Sequence, residues 1–331
     1  MDVMFTHCAG LDVHQKRITA CRVTPDPTGQ QAEGLRELRE FGTRTIDLLA
    51  LSDWLAEAGL THVAMKRTGE DWKPVSNLLE GSLTVFLVNA APVKQVPGRK
   101  TDQADARWLA KLMRDGLLKA SVIPPVGQRD LRDLTRDRTK LVQERGREVN
   151  RVHRVWERAN IKLGAVAPNI FGVSGRAILA ALIAGRADPA TMAELARGRR
   201  RSKIPLLEQA LTGLVRDHHR RLLMIQLAHL DFPDEQIAAW SDEMARVLTE
   251  LSGGEPPAAL AEPSHAVEPT PPPTGSQSPL PFARAVAGLD PMPGVDRRGA
   301  ELVVAEWGTD MARFGTAERL SAWRRRGPRE R

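Results

Sequence analysis

Ala9-Gly-Leu-Asp-Val-His14 is an apolar run broken by one carboxylate, and a second apolar run over residues 18 to 23 follows it closely. Two such runs joined by a short polar connection read as adjacent strands, and apolar runs recur at 63 to 65 and in Leu83-Thr-Val-Phe-Leu-Val88. Between them Ile46, Leu48, Leu49, Leu51, Trp54 and Leu55 keep helical spacing, and Leu78 and Leu79 fall on a second short helix. Strands alternating with helices over residues 1 to about 123 predict an α/β sheet domain. On its first strand stands Asp12.

Further along, Gly98-Arg-Lys-Thr-Asp-Gln-Ala-Asp-Ala-Arg-Trp108 carries two more carboxylates. Thr101 is placed to cap a helix whose apolar stripe is Trp108, Leu109 and Leu112, so Asp102 and Asp105 fall in its first turn, three residues apart and on one face. With a strand-borne Asp12 they form a plausible cradle for a divalent cation, since hard cations take oxygen ligands. Taken alone, Asp12 also reads as a buried strand acid held by backbone N–H groups. Asp102 and Asp105 likewise read as helix-start acids favoured by the macrodipole. His14, two residues after Asp12 and on the same strand face, reads as a hydrogen-bonding neighbour of an all-oxygen site.

The 331 residues hold 48 Lys and Arg against 41 Asp and Glu, a formal charge of +7, with 42% apolar residues. This favours a polyanionic partner, nucleic acid ahead of membrane, and supplies a sizeable core. Cys8 and Cys21 are in no ligand spacing and read as small buried residues. No apolar stretch approaches the length of a membrane span, so no membrane partner and a cytoplasmic location are the expectation. A phosphotransferase of the actin-like kind is disfavoured because no glycine-rich phosphate loop follows a strand.

Residues 124 to 251 read as a helical arm and coiled-coil region. From 128 to about 163, Leu131, Leu134, Leu141, Val149, Val152, Trp156, Ala159 and Leu163 recur mostly at threes, fours and sevens, with Gly146, Arg138 and Arg145 weakening the seam. The pattern leaves self-association into a homo-oligomer and packing inside one protomer both open. Arg197-Gly-Arg-Arg-Arg-Ser-Lys203 reads as a loop, and Arg216 to Leu251 as a second long helix. Such basic runs are solvated faces or phosphate contacts, here through Arg197, Arg199, Arg200, Arg201 and Lys203. Residues 252 to 282, rich in proline, read as a flexible linker. A short helical module over 283 to 323 and a basic tail over 324 to 331 complete the chain.

Taken together these segments resemble the DEDD transposases of bacterial insertion sequences, the one-ten type. Gly10-Leu-Asp-Val-His14 is similar to that family's first motif, Ala64-Met-Lys-Arg-Thr-Gly69 with Trp72-Lys-Pro74 to its second, and Val88-Asn-Ala90 with Val96-Pro-Gly-Arg-Lys-Thr-Asp-Gln-Ala-Asp-Ala106 to its third. Leu131-Arg-Asp-Leu-Thr-Arg136 with Leu141-Val-Gln-Glu-Arg145 resembles the start of the family's helical arm. The resemblance implies a RuvC-like, RNase H-type domain and DNA transposition. It also implies Mg2+ held by Asp12, Asp102 and Asp105, a structured guide RNA, and contacts to element ends and target DNA. Arg99 and Lys100 in the third motif are further candidates for nucleic-acid contact. Pro293-Gly-Val-Asp-Arg-Arg-Gly-Ala300 resembles the family's helix-hairpin-helix segment, with Gly294, Arg297 and Arg298 facing phosphates. There Asp296 replaces a usual glycine, which is expected to add negative charge and cost backbone freedom in the turn.

Two departures bear on activity. The family's second acid maps onto Lys66, which points a positive charge at the metal site. Glu70 or Asp71, four and five residues on, would have to substitute from outside the strand. The serine of the family's second domain has no counterpart here, since Ser321 precedes its position, and the arginine-rich end gives the reading of a truncated copy. The expectation is a transposase impaired in Mg-dependent strand cleavage and rejoining, with a non-catalytic nucleic-acid-binding remnant as the alternative.

Overall fold

The computed structural model describes residues 3–320 except 29, 32–33, 68, 90–100, 122, 167–170, 186–187, 254–279 and 317. The chain divides into two compact units, Met1–Val126 and Gly127–Arg331. Unit 1 is built on five strands, β1 Cys8–Val13, β2 Ile18–Thr24, β3 Leu35–Phe41, β4 His62–Arg67 and β5 Thr84–Asn89. Their order in the sheet is β3-β2-β1-β4-β5. The first three are antiparallel neighbours, whereas β4 runs parallel to β1 and β5 parallel to β4. This is the RNase H-type sheet, with β1 at its centre.

Every residue of β1 is buried, which is why its sequence is a nearly unbroken apolar run. The period-2 alternation of a strand then divides it between two layers. Ala9, Leu11 and Val13 join Val63 and Met65 of β4 against α1 Thr45–Glu57 and α2 Trp72–Leu79, through Leu48, Leu51, Trp54, Val75 and Leu79. On the opposite face Cys8, Cys21, Ala64 and Val88 meet Ala106, Ala110 and Met113 of α3 Asp102–Arg114. Cys8 and Cys21 are free buried thiols there. Burial pushes Cys8 up to about 12 and Cys21 to about 11, so both stay protonated and inert.

The approach of α3 to β1 depends on Gly10. A Cβ on that residue would lie 2.4 Å from both the Ala106 carbonyl oxygen and the Ala110 amide nitrogen, which are backbone atoms of the helix. Gly10→Ala therefore forces α3 off the sheet and is expected to cost about 3 kcal/mol, the upper part of the overpacking range. An unchanged urea midpoint would show that the helix gives way freely.

Strand β3 was not anticipated, because Leu35-Arg-Glu-Leu-Arg-Glu-Phe41 is mostly exposed and charged. It is an edge strand, where charge discourages further pairing. Arg22 on β2 secures it, donating to Glu37 at 2.6 Å while its guanidinium lies 4.4 Å over the Trp54 ring.

Unit 2 is helical. The long helix α4 Val126–Arg158 is followed by α5 Leu163–Val166, α6 Val173–Ala184, α7 Pro189–Ala193, α8 Ile204–Leu211 and the long α9 Asp217–Leu251. The hairpin α10 Phe282–Leu289 and α11 Arg297–Trp307 comes last. The far end of α4 packs Val152, Val155 and Trp156 against Ile178, Leu182, Leu207, Leu223 and Leu230. Near its start, Leu131 joins Met244 and Leu248 of α9 and Val286, Ala300 and Val304 of the hairpin. Both ends of the arm are thus used inside the protomer. The basic run read as a loop is instead a 3-10 helix, Gly198–Lys203, whose last residue precedes α8. Pro205 in the first turn of α8 has its φ pre-set for helix and no amide to leave unpaired, so the chain is already coiling as it enters.

The hairpin is held to α4 by charge as well as by apolar contact. Gln128 Nε2 and Arg132 Nε both donate to the Ala305 carbonyl at 2.9 Å, and Arg136 Nε donates to Glu306 at 2.7 Å. Arg138, read as a flaw in the heptad, donates to Glu301 at 2.7 Å, and both residues are buried. The expected backbone cost of Asp296 is not paid, because its φ of −88° is open to any residue. Its carboxylate caps α11, accepting from Gly299 N at 2.7 Å. Ser252 Oγ, at the end of α9, accepts from Ala283 N in α10 at 2.9 Å.

Candidate active site

Alternation along the central strands decides which side chains meet. Asp12 follows Gly10 by two and so faces α3. Lys66 follows Ala64 by two on the neighbouring β4 and faces the same way. Thr101 caps α3, accepting from Ala104 N at 3.3 Å, which sets Asp102 and Asp105 in the first turn over the same end of β1. The four residues singled out in the sequence are therefore brought together.

Each carboxylate has its own partner. The Lys66 ammonium donates to Asp105 Oδ2 at 2.8 Å and lies 4.0 Å from Asp12 Oδ1. His14 Nε2 lies 3.2 Å from Asp12 Oδ2 and 3.5 Å from Asp102 Oδ1, bridging the two acids. Arg17 donates to Asp102 Oδ2. Arg17 was missed in the sequence, although a signal exists. His14 N bonds to Arg17 O at 3.0 Å across the β1–β2 turn, and directly opposed residues of an antiparallel pair share a face.

Burial lifts the Asp12 carboxyl above the usual carboxylate range, against the opposing charges of Lys66 and His14. Burial also pulls Lys66 down, but its hydrogen bond to Asp105 and the charges of Asp12, Asp105 and Asp102 outweigh that and raise it. Lys66 is consequently charged at neutral pH. The bond from Arg17 holds Asp102 below the ordinary range. One atom is left over, since Asp12 Oδ1 is buried with no hydrogen-bond partner.

These residues fit one divalent cation. Asp12, His14 and Asp102 offer ligand atoms all within 4.8 Å of one another, and the orphaned Asp12 oxygen is the kind of atom a cation would satisfy. They do not fit a second one beside Asp105, because the Lys66 ammonium stands there. Glu70 does not fill the gap, since its carboxylate is paired with Lys73 at 2.5 Å. Asp71 is nearer, lining an open depression with His14, Gln15, Lys16, Arg17 and Asp102.

The candidate nucleic-acid contacts lie partly elsewhere. Arg197 donates its backbone N–H to Ser174 Oγ at 2.9 Å, and Lys203 bonds the Val166 carbonyl at 3.2 Å. Arg201 is 3.7 Å from Glu194, and Arg200 lies in the same 3-10 helix, as does the backbone of Arg199. Gly294 takes a left-handed φ of 83° in the hairpin turn, Arg297 is tied to Glu301 at 3.2 Å, and Arg298 is exposed. Arg99, Lys100, Ser321 and the tail lie outside the described residues. No helix among the described residues is long and apolar enough to cross a membrane.

The family model of DEDD transposases of the IS110 type, described as a transposase, matches residues 9–161, just under half of the chain. No curated protein matches. A solved structure described as Thermus thermophilus RuvC is 14% identical, with 35% of this chain and 99% of that one covered and a TM-score of 0.27.

Proposed function

We propose that this protein, whose residues 9–161 match the model of the IS110-type DEDD transposases, engages insertion-sequence DNA as a transposase whose strand-cutting step is impaired. The observation that carries the impairment is the Lys66 ammonium 2.8 Å from Asp105 and 4.0 Å from Asp12. In phosphodiester cleavage a bound Mg2+ stabilises charge on the attacking or leaving oxygen and makes water a better nucleophile. Asp12 and Asp102 are the residues to hold such an ion. Lys66 contributes positive charge at the second position but no coordination site, so it neutralises Asp105 without orienting a water.

The basic residues of the 3-10 helix and the hairpin turn, with Arg99 and Lys100, serve as phosphate contacts in this reading. A structured guide RNA is a second polyanion for the same surfaces, and the middle of α4, where Val142 is exposed, is the stretch for pairing with another copy. Retained binding without cutting makes the protein a nucleic-acid-binding remnant of a transposase.

Incubating the purified protein with supercoiled DNA carrying the element ends and Mg2+ tests this. Retarded mobility with no nicking above the Asp102→Ala background is the expected result. Mg2+-dependent nicking that Asp102→Ala abolishes overturns the impairment, and repeating it with Asp71→Asn shows whether that acid has taken over.

A further inference from the structure

We propose that Arg17 is a latch on the acidic centre, closed onto Asp102 in the absence of nucleic acid and opened when a backbone phosphate takes its guanidinium. The inference rests on reading the centre as a DNA-phosphodiester site, and it adds a residue and a coupling that this reading does not contain.

Three observations carry it. First, the groups around Asp102 are unequal. Asp105 is held by the largely buried Lys66, whose side chain is 9% exposed, so that pair is fixed in the fold. Asp102 is held by Arg17, whose side chain is 57% exposed and can leave without uncovering the core. Second, Asp102 is one of the three residues able to hold a cation with Asp12 and His14, so the Arg17 contact competes directly with the ion for the same carboxylate. Third, Arg17 sits where a polyanion would arrive. The depression beside it is lined by His14, Gln15, Lys16, Asp71 and Asp102, and Lys16 has no ion pair among the described residues. A guanidinium binds carboxylate and phosphate with the same planar fork, so exchanging one for the other conserves its hydrogen bonds.

The chain of events is an exchange of partners with no covalent step. Phosphate draws Arg17 away with Lys16 assisting, Asp102 is released beside Asp12 and His14, and the cation seat is complete. Linkage then requires that DNA tighten cation binding and that the cation tighten DNA binding by the same factor. A cation seated before the strand arrives would be held weakly, which keeps the centre closed until a strand is present.

The experiment is a Mn2+ titration of the full-length protein, with free Mn2+ read by electron paramagnetic resonance, in the absence and presence of a single-stranded oligonucleotide. For the parent protein the oligonucleotide is expected to tighten Mn2+ binding several-fold. Arg17→Ala is expected to bind Mn2+ about tenfold tighter without DNA, to lose the coupling, and to shed about one phosphate's worth of salt dependence in DNA binding. Arg17→Lys should retain part of the coupling, and adding Asp102→Asn to Arg17→Ala should abolish the tightening. Equal Mn2+ affinity of the parent and Arg17→Ala proteins without DNA overturns the latch. Failure of every form to bind DNA sinks the functional reading instead, while the DNA-free titration still decides the latch.

Discussion

Lys66→Glu is expected to bind Mg2+ or Mn2+ at least a hundredfold more tightly than the parent protein. The substitution reverses a unit charge whose present partners are 2.8 and 4.0 Å away. At about 4 Å and an effective dielectric near 20, each unit charge interacts by about 4 kcal/mol before solvation is counted, so even heavy discounting leaves about the 2.7 kcal/mol that a hundredfold represents. A glutamate at this place on β4 also adds an oxygen ligand beside Asp105. Without cation the variant gathers Asp12, Asp102, Asp105 and the new acid around one point, so its melting temperature should fall below the parent's. Saturating Mg2+ should then raise it, by mass action on the folded state. Lys66→Ala separates the two effects, removing the ammonium while supplying no ligand, and should fall between. Superimposable calorimetric titrations of the parent and Lys66→Glu proteins would refute the geometry assigned to the centre.

Glu301→Ala is expected to destabilise unit 2 by about 3–5 kcal/mol, because it strands a buried guanidinium. Arg138 and Glu301 are each 4% exposed and bonded at 2.7 Å, and Arg297 donates to the other Glu301 oxygen at 3.2 Å. Removing the acid leaves Arg138 without its buried counter-charge, between a helix and a hairpin that their apolar cluster and remaining hydrogen bonds keep together. Glu301→Gln keeps the shape and one acceptor and should cost less. The joint replacement Arg138→Met with Glu301→Leu should recover most of the loss, since an apolar pair of similar volume removes both desolvation penalties. Guanidinium-induced unfolding followed by circular dichroism orders these variants. Equal midpoints for the parent and Glu301→Ala proteins would mean that Arg138 finds water in the folded state.

Much of unit 1 was legible because its central strands are buried on both sides and had to be written in apolar residues. β1, β2, β4 and β5 announced themselves in this way, and α1 and α3 through their stripes. β3 was illegible for the opposite reason. An edge strand with charged faces carries neither an apolar run nor a helical stripe, and only its pairing with β2 makes it a strand. The juxtaposition of Lys66 with the aspartates followed from aligned motifs, and no spacing rule alone would have given it. Arg17 escaped notice because its role depends on a hairpin register that motifs do not encode, although the turn between Val13 and Ile18 was short enough to suggest it. Arg138 was misjudged for a related reason. A charge at a seam position is a defect only when nothing answers it, and its answer lies 163 residues away.

The hydrogen bond between Ser252 and Ala283 means that the chain leaves α9 and enters α10 at nearly one point. The proline-rich residues 254–279, read in the sequence as a linker, lie outside the described residues, and they join two ends that this bond already holds together. Joining two ends that are held together costs only about 0.6 kcal/mol more for each doubling of the residues between them. A lineage can accordingly expand, shrink or rewrite this stretch while α10 and α11 keep their seat, so drift in length should collect there while the packed helices on either side hold their register.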